Sequence, residues 1–332
     1  MTRQRRIVFP ARGEVRLEAF EPRPPGPGEL LLETRYSLMS IGTETTVLHA
    51  RYDPGTHFAS RFSFPQIKTG VQAVADVVAA AADVTEFGTG DTIFMRMAHA
   101  SHATLPAALC SPVPKDIDLK SACWAGLAKT AFRAAHVAPF SIGGTVLIVG
   151  AGPVGQMTVR WARAAGLNSI VVVDPVELRL RHAAAGGATD CLNGTLEDVR
   201  AALLERSAGA GFGIVVDTTG NPAVFAGALG AAAMFGRVVL LGDTGYPARQ
   251  ALTSDVMTKG LTIVATHDHH DRDGWTQRRI DALFYRSATG GSFPLDGLIT
   301  HEFSPEACGA AYELADQHRD EAIGILFDWS LQ

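Results

Sequence analysis

Long apolar runs are missing from this 332-residue chain. No stretch approaches the roughly 18 uninterrupted apolar residues of a membrane-spanning helix, so no membrane partner is expected. Cysteine is scarce: Cys110, Cys123, Cys191 and Cys308 stand far apart, with no CxxC pair. That excludes a disulfide framework and reads as free thiols in a reducing, cytoplasmic setting. Neither sign of charge dominates. Lys+Arg 29 against Asp+Glu 34 leaves a net −5 spread along the sequence, with no basic stripe for nucleic acid. The basic start "MTRQRR" is followed by only three apolar residues (Ile7, Val8, Phe9), too few for a signal peptide. Repeats and low-complexity segments are absent. What the chain does have is 47% apolar and 19% charged residues, enough for a sizeable core over two domains. It also carries 34 glycines, above the usual share of about 7%.

The texture changes along the chain. Up to about residue 140, prolines break short alternating runs such as Leu30–Thr34 and Val74–Val78, which predicts an irregular, mostly β domain. From Gly143, strand-like runs ("GGTVLIVG", "SIVVVD", "GIVVD", "GRVVLLG", "LTIVAT") alternate with helical ones. The helical runs are "PVGQMTVRWARAAG", "PVELRLRHAAAGG", "VRAALLERS", "PAVFAGALGAAAMF" and "ALTSDVMTK". Thr195 and Asp198 suggest a capped helix start before "VRAALLERS". This alternation predicts an α/β fold with a doubly wound parallel sheet. A last helix, "WTQRRIDALFYRS", leads into a strand, a helix opened by Ser304 and Pro305, and a closing strand "AIGILFDW".

Gly150, Gly152 and Gly155, with Pro153 and Val154, make a G-x-G-x-x-G between a strand and a helix. In that context the first glycine permits the turn and the second lets a pyrophosphate approach. The third lets helix and strand pack closely. The helix N-terminus then faces the phosphates with free N–H groups. Asp174 ends the next strand, nineteen residues after Gly155. A carboxylate there bonds the ribose hydroxyls and repels a 2′-phosphate, so NAD is the expected cofactor. Arg179 lies over the adenine or weakens that preference. The plain alternative is a glycine turn with a helix-capping Asp174. Thr218, Thr219 and Gly220 after "GIVVD", and Leu241 and Gly242 after "GRVVLL", sit at carboxyl ends of strands. They are assigned to the nicotinamide half.

These motifs, with "PPGPGELLLETRYSLMSIGTET", "GTGDTIF" and "HASHATLPAALCSPVPKDIDLKSA", resemble the medium-chain dehydrogenase/reductase superfamily over nearly the whole chain. The resemblance implies a GroES-like, mostly β catalytic domain (1–140 and 286–332) and an inserted Rossmann dinucleotide domain (141–285). It also implies a homodimer or homotetramer paired through the sheet edge at "LTIVAT". Zinc members carry ligands at positions that here hold Ile41, Val71 and Ala125, and the four-cysteine structural lobe is missing, so no metal is expected. "SIGTET" resembles a zinc-less branch that includes bacteriochlorophyllide-dehydrogenase-like and sugar-associated enzymes. The resemblance implies NAD-dependent interconversion of a secondary alcohol and a ketone, on a small sugar- or cyclitol-like substrate. Enone or quinone reduction, and non-catalytic dinucleotide binding, stay open as alternatives.

Without a metal, another group must stabilise or protonate the reacting oxygen. Thr43 matches the family's proton-relay hydroxyl, or is a turn hydroxyl bonding its own backbone. Lys129 falls four residues after Ala125, beside the nicotinamide by resemblance. It is the candidate acid–base, or else a solvated lysine or one pairing with a phosphate. His49, Tyr52 and His57 are candidate substrate contacts. So is His267 in "THDHHDRD", where surface loop or substrate contact is expected over metal. His99 and His102 are expected to be structural.

Overall fold

Alternate residues of the strand Thr145–Val149 go to opposite faces. Val146 and Ile148 pack with Val172, Val216 and Val239, while Leu147 and Val149 pack with Val171, Val173, Val215 and Val238. A near-continuous apolar run needs two covered faces, and the computed structural model, which describes residues 4–331, supplies them. The sheet has six parallel strands. In spatial order they are Asp190–Asn193, Ser169–Asp174, Thr145–Val149, Phe212–Asp217, Ala232–Leu240 and Thr262–Ala265. Strand order reverses beside Thr145–Val149, and in open α/β sheets that reversal opens a crevice at the carboxyl ends.

Helices follow the strands: Pro153–Ala164, Glu177–Gly186, Arg200–Arg206 and Pro222–Ala231. Gly187, at φ 110°, ends the second in the left-handed conformation. Thr195 and Asp198 bond reciprocally, Thr195 N–H to Asp198 Oδ2 at 2.9 Å and Asp198 N–H to Thr195 Oγ1 at 3.3 Å. Two sequence expectations need correcting. The helix expected through "GAAAMF" stops at Ala231, because from Ala232 the chain pairs with the strand Phe212–Asp217, and alanine's helix propensity loses to ladder bonding. "ALTSDVMTK" makes a single turn, Asp255–Thr258, ended two residues on by Gly260 at φ 62°.

The chain divides into two units. One comprises residues 4–126, 276–289 and 296–331; the other comprises 127–275 and 290–295. The cuts at 126/127 and 275/276 differ from the expected 140/141 and 285/286, and particular bonds account for this. The helix Gln277–Thr289 is tied to the first unit by Ser111, which donates to Asp281 at 2.6 Å, and by an Arg278–Glu86 ion pair at 2.7 Å. Residues 127–137 are held in the second unit by Trp161 Nε1, which donates to the Ala128 carbonyl, and by Arg237, which donates to that of Val137.

The first unit is built on a mixed sheet. In spatial order it runs Ile299–Phe303, Gly324–Asp328, Glu29–Leu38, Ala73–Ala80, Thr92–Met95, Cys110–Pro112, with His102–Pro106 also pairing Glu29–Leu38. A smaller sheet joins Arg16–Ala19, Arg5–Phe9 and Ile67–Lys68. Ser304 precedes a 3-10 turn, Pro305–Ala307, without a side-chain cap, and the helix Cys308–Gln317 follows. Among the described residues no helix is long and apolar enough to cross a membrane.

Candidate active site

The three glycines of the turn have different surroundings. A Cβ on Gly150, at φ +90°, would meet Thr218 Oγ1 at 2.8 Å. One on Gly155 would sit 2.1 Å from the Gly150 carbonyl oxygen. One on Gly152 would meet nothing within 4 Å. Two glycines are therefore fixed by packing, and the third faces open space at the N-cap of the helix that Pro153 begins, with Val154 half-buried behind it. This is the cradle a phosphate group would fill. Thr218 Oγ1 lies 3.0 Å from the Val149 carbonyl oxygen and 2.9 Å from that of Gly150, clamping the turn to the neighbouring strand.

Asp174 is 3% exposed. Its Oδ2 accepts from Ala151 N–H at 2.7 Å and its Oδ1 from Val176 N–H at 2.8 Å, while Arg179 Nη1 stands 3.7 Å away. Asp174 thus ties the glycine turn to the adjacent strand end. Each carboxylate oxygen keeps a second lone pair for a ribose hydroxyl. At the next strand end, Asp217 Oδ1 accepts from Thr219 N–H and Oγ1 at 2.8 and 2.6 Å. Burial pushes its carboxyl pKa up, against the bonds from Thr219. Leu241 and Gly242 donate N–H groups to the Asp217 carbonyl at 3.0 and 2.9 Å. Gly220, at φ +62°, lies so close to Gly242 that a Cβ on Gly242 would meet its nitrogen at 2.2 Å. All the expected cofactor residues therefore gather along the carboxyl edge of the six-stranded sheet.

Lys129 lies on the helix Ala125–Val137 and is 6% exposed, so it is not a solvated lysine. Arg133, one turn further, is 1% exposed and donates to the Trp275 carbonyl at 2.9 Å and to Asp271. At the positions where the resemblance would place zinc ligands, Ile41 and Ala125 are buried, Val71 is half-buried, and none offers a donor atom.

Thr43 lies in the first turn of the helix Ile41–Leu48, its Oγ1 3.3 Å from Ser40 Oγ. Its neighbour Glu44, which the sequence reading passed over, centres a buried polar network. It accepts from Ser40 N–H at 2.7 Å, from Thr69 Oγ1 at 2.8 Å and from the Tyr312 hydroxyl, and His99 Nε2 stands 3.1 Å away. His99 Nδ1 reaches Ser37 Oγ at 2.7 Å, so its structural occupation is plain. Burial opposes ionisation of Glu44. His99, Tyr312 and the Ser40 N–H outweigh it and hold the carboxyl below its ordinary pKa. The local signal was a glutamate four residues after the N-cap serine, one beyond the capping-box spacing, whose Oε1 accepts from the Ser40 N–H.

All four substrate candidates have neighbours in the structure. His49 Nε2 stands 3.0 Å from Asp316, which also pairs with Arg51 at 2.9 Å. The Tyr52 hydroxyl donates to the Phe62 carbonyl at 2.9 Å and its ring stacks on Phe58. His57 is exposed, its ring 4.4 Å from that of Phe58. His267 stacks on His269, and both approach Asp268 Oδ1 at 3.0 Å.

Fold and glycine turn together define a two-unit α/β protein with a doubly wound, nucleotide-type sheet. The family description "Zinc-binding dehydrogenase" matches residues 153–277. An L-threonine 3-dehydrogenase of Chromobacterium violaceum is 33% identical over 244 residues, 73% of this chain and 67% of that protein. One of Bacillus subtilis is 33% identical over 172 residues, 52% of this chain and 48% of that one. The chain spans about half the length of most of the curated relatives it matches. An Escherichia coli oxidoreductase/dehydrogenase of unknown specificity superposes with a TM-score of 0.85 at 20% identity, over 98% of this chain and 99% of the other. The chain belongs to the medium-chain dehydrogenase/reductase superfamily.

Proposed function

We propose that the protein is a zinc-independent, NAD-dependent oxidoreductase that interconverts a secondary alcohol and a ketone. The observation that carries the reading is Lys129, a cation enclosed in the same unit as the glycine turn. Gly152 and the N-terminus of Pro153–Ala164 hold the pyrophosphate, Asp174 the ribose hydroxyls, and the Thr218–Gly220 and Leu241–Gly242 backbone the nicotinamide end. When bound, the dinucleotide supplies or accepts the hydride. Lys129 holds the proton at Nζ, giving it to a ketone oxygen or taking it from an alcohol. By resemblance alone, Thr43 remains a second candidate hydroxyl for proton relay. Asp174 favours NAD over NADP, since a 2′-phosphate would face its carboxylate. The absence of donors at Ile41, Val71 and Ala125 supports a reaction without zinc.

The test is Lys129→Met. Turnover should fall at least about a hundredfold while NADH still binds, within the range of general acid–base catalysis. Wild-type turnover would discard the role. A homodimer or homotetramer is also proposed, paired through Thr262–Ala265. That strand lies at the sheet edge near exposed Met257, and sedimentation of the purified protein checks the assembly.

A further inference from the structure

Asp217 is 1% exposed, yet it closes the strand Phe212–Asp217 at the edge where the cofactor residues gather. Its Oδ1 takes the N–H and hydroxyl of Thr219, while the enclosed Oδ2 has no hydrogen-bond partner among the described residues. Burial pushes the carboxyl up, and the donors of Thr219 and Gly220 oppose that push. A half-satisfied buried carboxyl weakens a fold, so its presence asks for a use.

One residue here holds two loops. The side chain of Asp217 fixes Thr218–Gly220, and its main-chain carbonyl accepts from Leu241 and Gly242. The side-chain link continues outward. Thr219 Oγ1 donates to Asp217 and accepts from Asn221 N–H at 3.0 Å. Asn221 Oδ1 accepts from Ala223 N–H at 3.0 Å, as N-cap of the helix Pro222–Ala231. Thr219 also lies against the glycine turn, since a Cβ on Gly150 would meet its Cγ2 at 2.8 Å. Thr219 is itself exposed, so water would satisfy its donors if the carboxyl were removed. What Asp217 adds is therefore a single position for the loop.

We propose that Asp217 is the positioning residue of the nicotinamide end: its Oδ1 sets Thr219 and Gly220 in the arrangement that receives the nicotinamide, without touching the cofactor. The proposal rests on the dinucleotide reading, which assigns that end of the cofactor to these two loops.

The experiment measures calorimetric binding of NADH and of ADP-ribose, which lacks the nicotinamide, to the full-length protein, with the melting midpoint of each variant. The wild type should bind NADH more tightly than ADP-ribose. Asp217→Ala should lower the NADH-to-ADP-ribose affinity ratio about tenfold, the size of one lost hydrogen bond to a charged group, and leave ADP-ribose affinity unchanged. Thr219→Val removes the hydroxyl and keeps the methyl group beside Gly150. It should lower the ratio in the same direction, and Thr219→Ser should restore it; this pair carries the test if Asp217→Ala does not fold. An unchanged ratio in either folded variant overturns the proposal. So does equal loss of both ligands with a lowered melting midpoint, which marks a residue that only supports the fold. In both cases wild-type binding of the two probes leaves the dinucleotide reading standing. A wild type that binds neither probe overturns that reading and the proposal with it. One that binds ADP-ribose as tightly as NADH overturns the placement of the nicotinamide, and again the proposal.

Discussion

A methyl group added at Gly155 and one added at Gly152 should do opposite things. At Gly155 the new Cβ would sit 2.1 Å from the Gly150 carbonyl oxygen and 2.9 Å from its carbon. Both obstacles are backbone, so the turn itself must move. Overpacking a tight site costs about 1–3 kcal/mol, and a backbone obstacle belongs at or above the upper end of that range. Gly155→Ala should therefore lose about 3 kcal/mol of stability in urea titration, and weaken NADH binding with it. At Gly152 there is nothing within 4 Å and φ is −66°, which alanine adopts freely. Gly152→Ala should cost no more than about 1 kcal/mol, the difference between glycine and alanine at a helix N-cap. Its NADH affinity, followed by nicotinamide fluorescence, should still fall at least about tenfold, because the methyl group occupies the space through which the pyrophosphate approaches. If Gly152→Ala binds NADH like the wild type, this turn does not carry the phosphates. If Gly155→Ala is as stable as the wild type, the close-packing argument fails.

Asp174→Asn leaves one acceptor oxygen where two backbone N–H groups are now met. It should destabilise the fold by about 1–3 kcal/mol and narrow the preference for NADH over NADPH, both measurable on one preparation. The depressed Glu44 carboxyl contributes stability that is present above its unfolded-state pKa, near 4.3, and is lost as pH falls through the lower folded value. Acid should therefore weaken the fold below about pH 4, and Glu44→Gln, less stable at neutral pH, should show a flatter acid limb in urea midpoints against pH. Burial pushes the thiol of Cys110 up to about 12 and that of Cys123 higher still, so both should resist a disulfide reagent in the native protein. Half-buried Cys191 should react first; rapid modification of Cys123 would contradict its burial.

The doubly wound sheet was legible because its strands are buried on both faces and punctuated by glycines, a pattern that leaves few alternatives to local reading. Alternation alone placed Ser169–Asp174 and Phe212–Asp217 to within a residue or two. Reading failed where tertiary pairing competes with local propensity, as at Ala232–Phe235, where an alanine-rich run joins a strand. The cofactor edge could be read from spacing. What Asp174 does for the turn could not, because its partners are backbone N–H groups that carry no sequence signature. The Glu44 network joins residues up to 268 positions apart, so it forms no local motif. His49 and Tyr52 drew notice as polar loop residues, yet Asp316 and the Phe62 carbonyl already engage them.

The most direct test of the account is metal content measured on protein that is actively oxidising an alcohol with NAD, before and after exhaustive chelation. Turnover should be unchanged when bound metal is removed. One tightly held zinc ion per chain, whose removal abolishes turnover and whose return restores it, would contradict it.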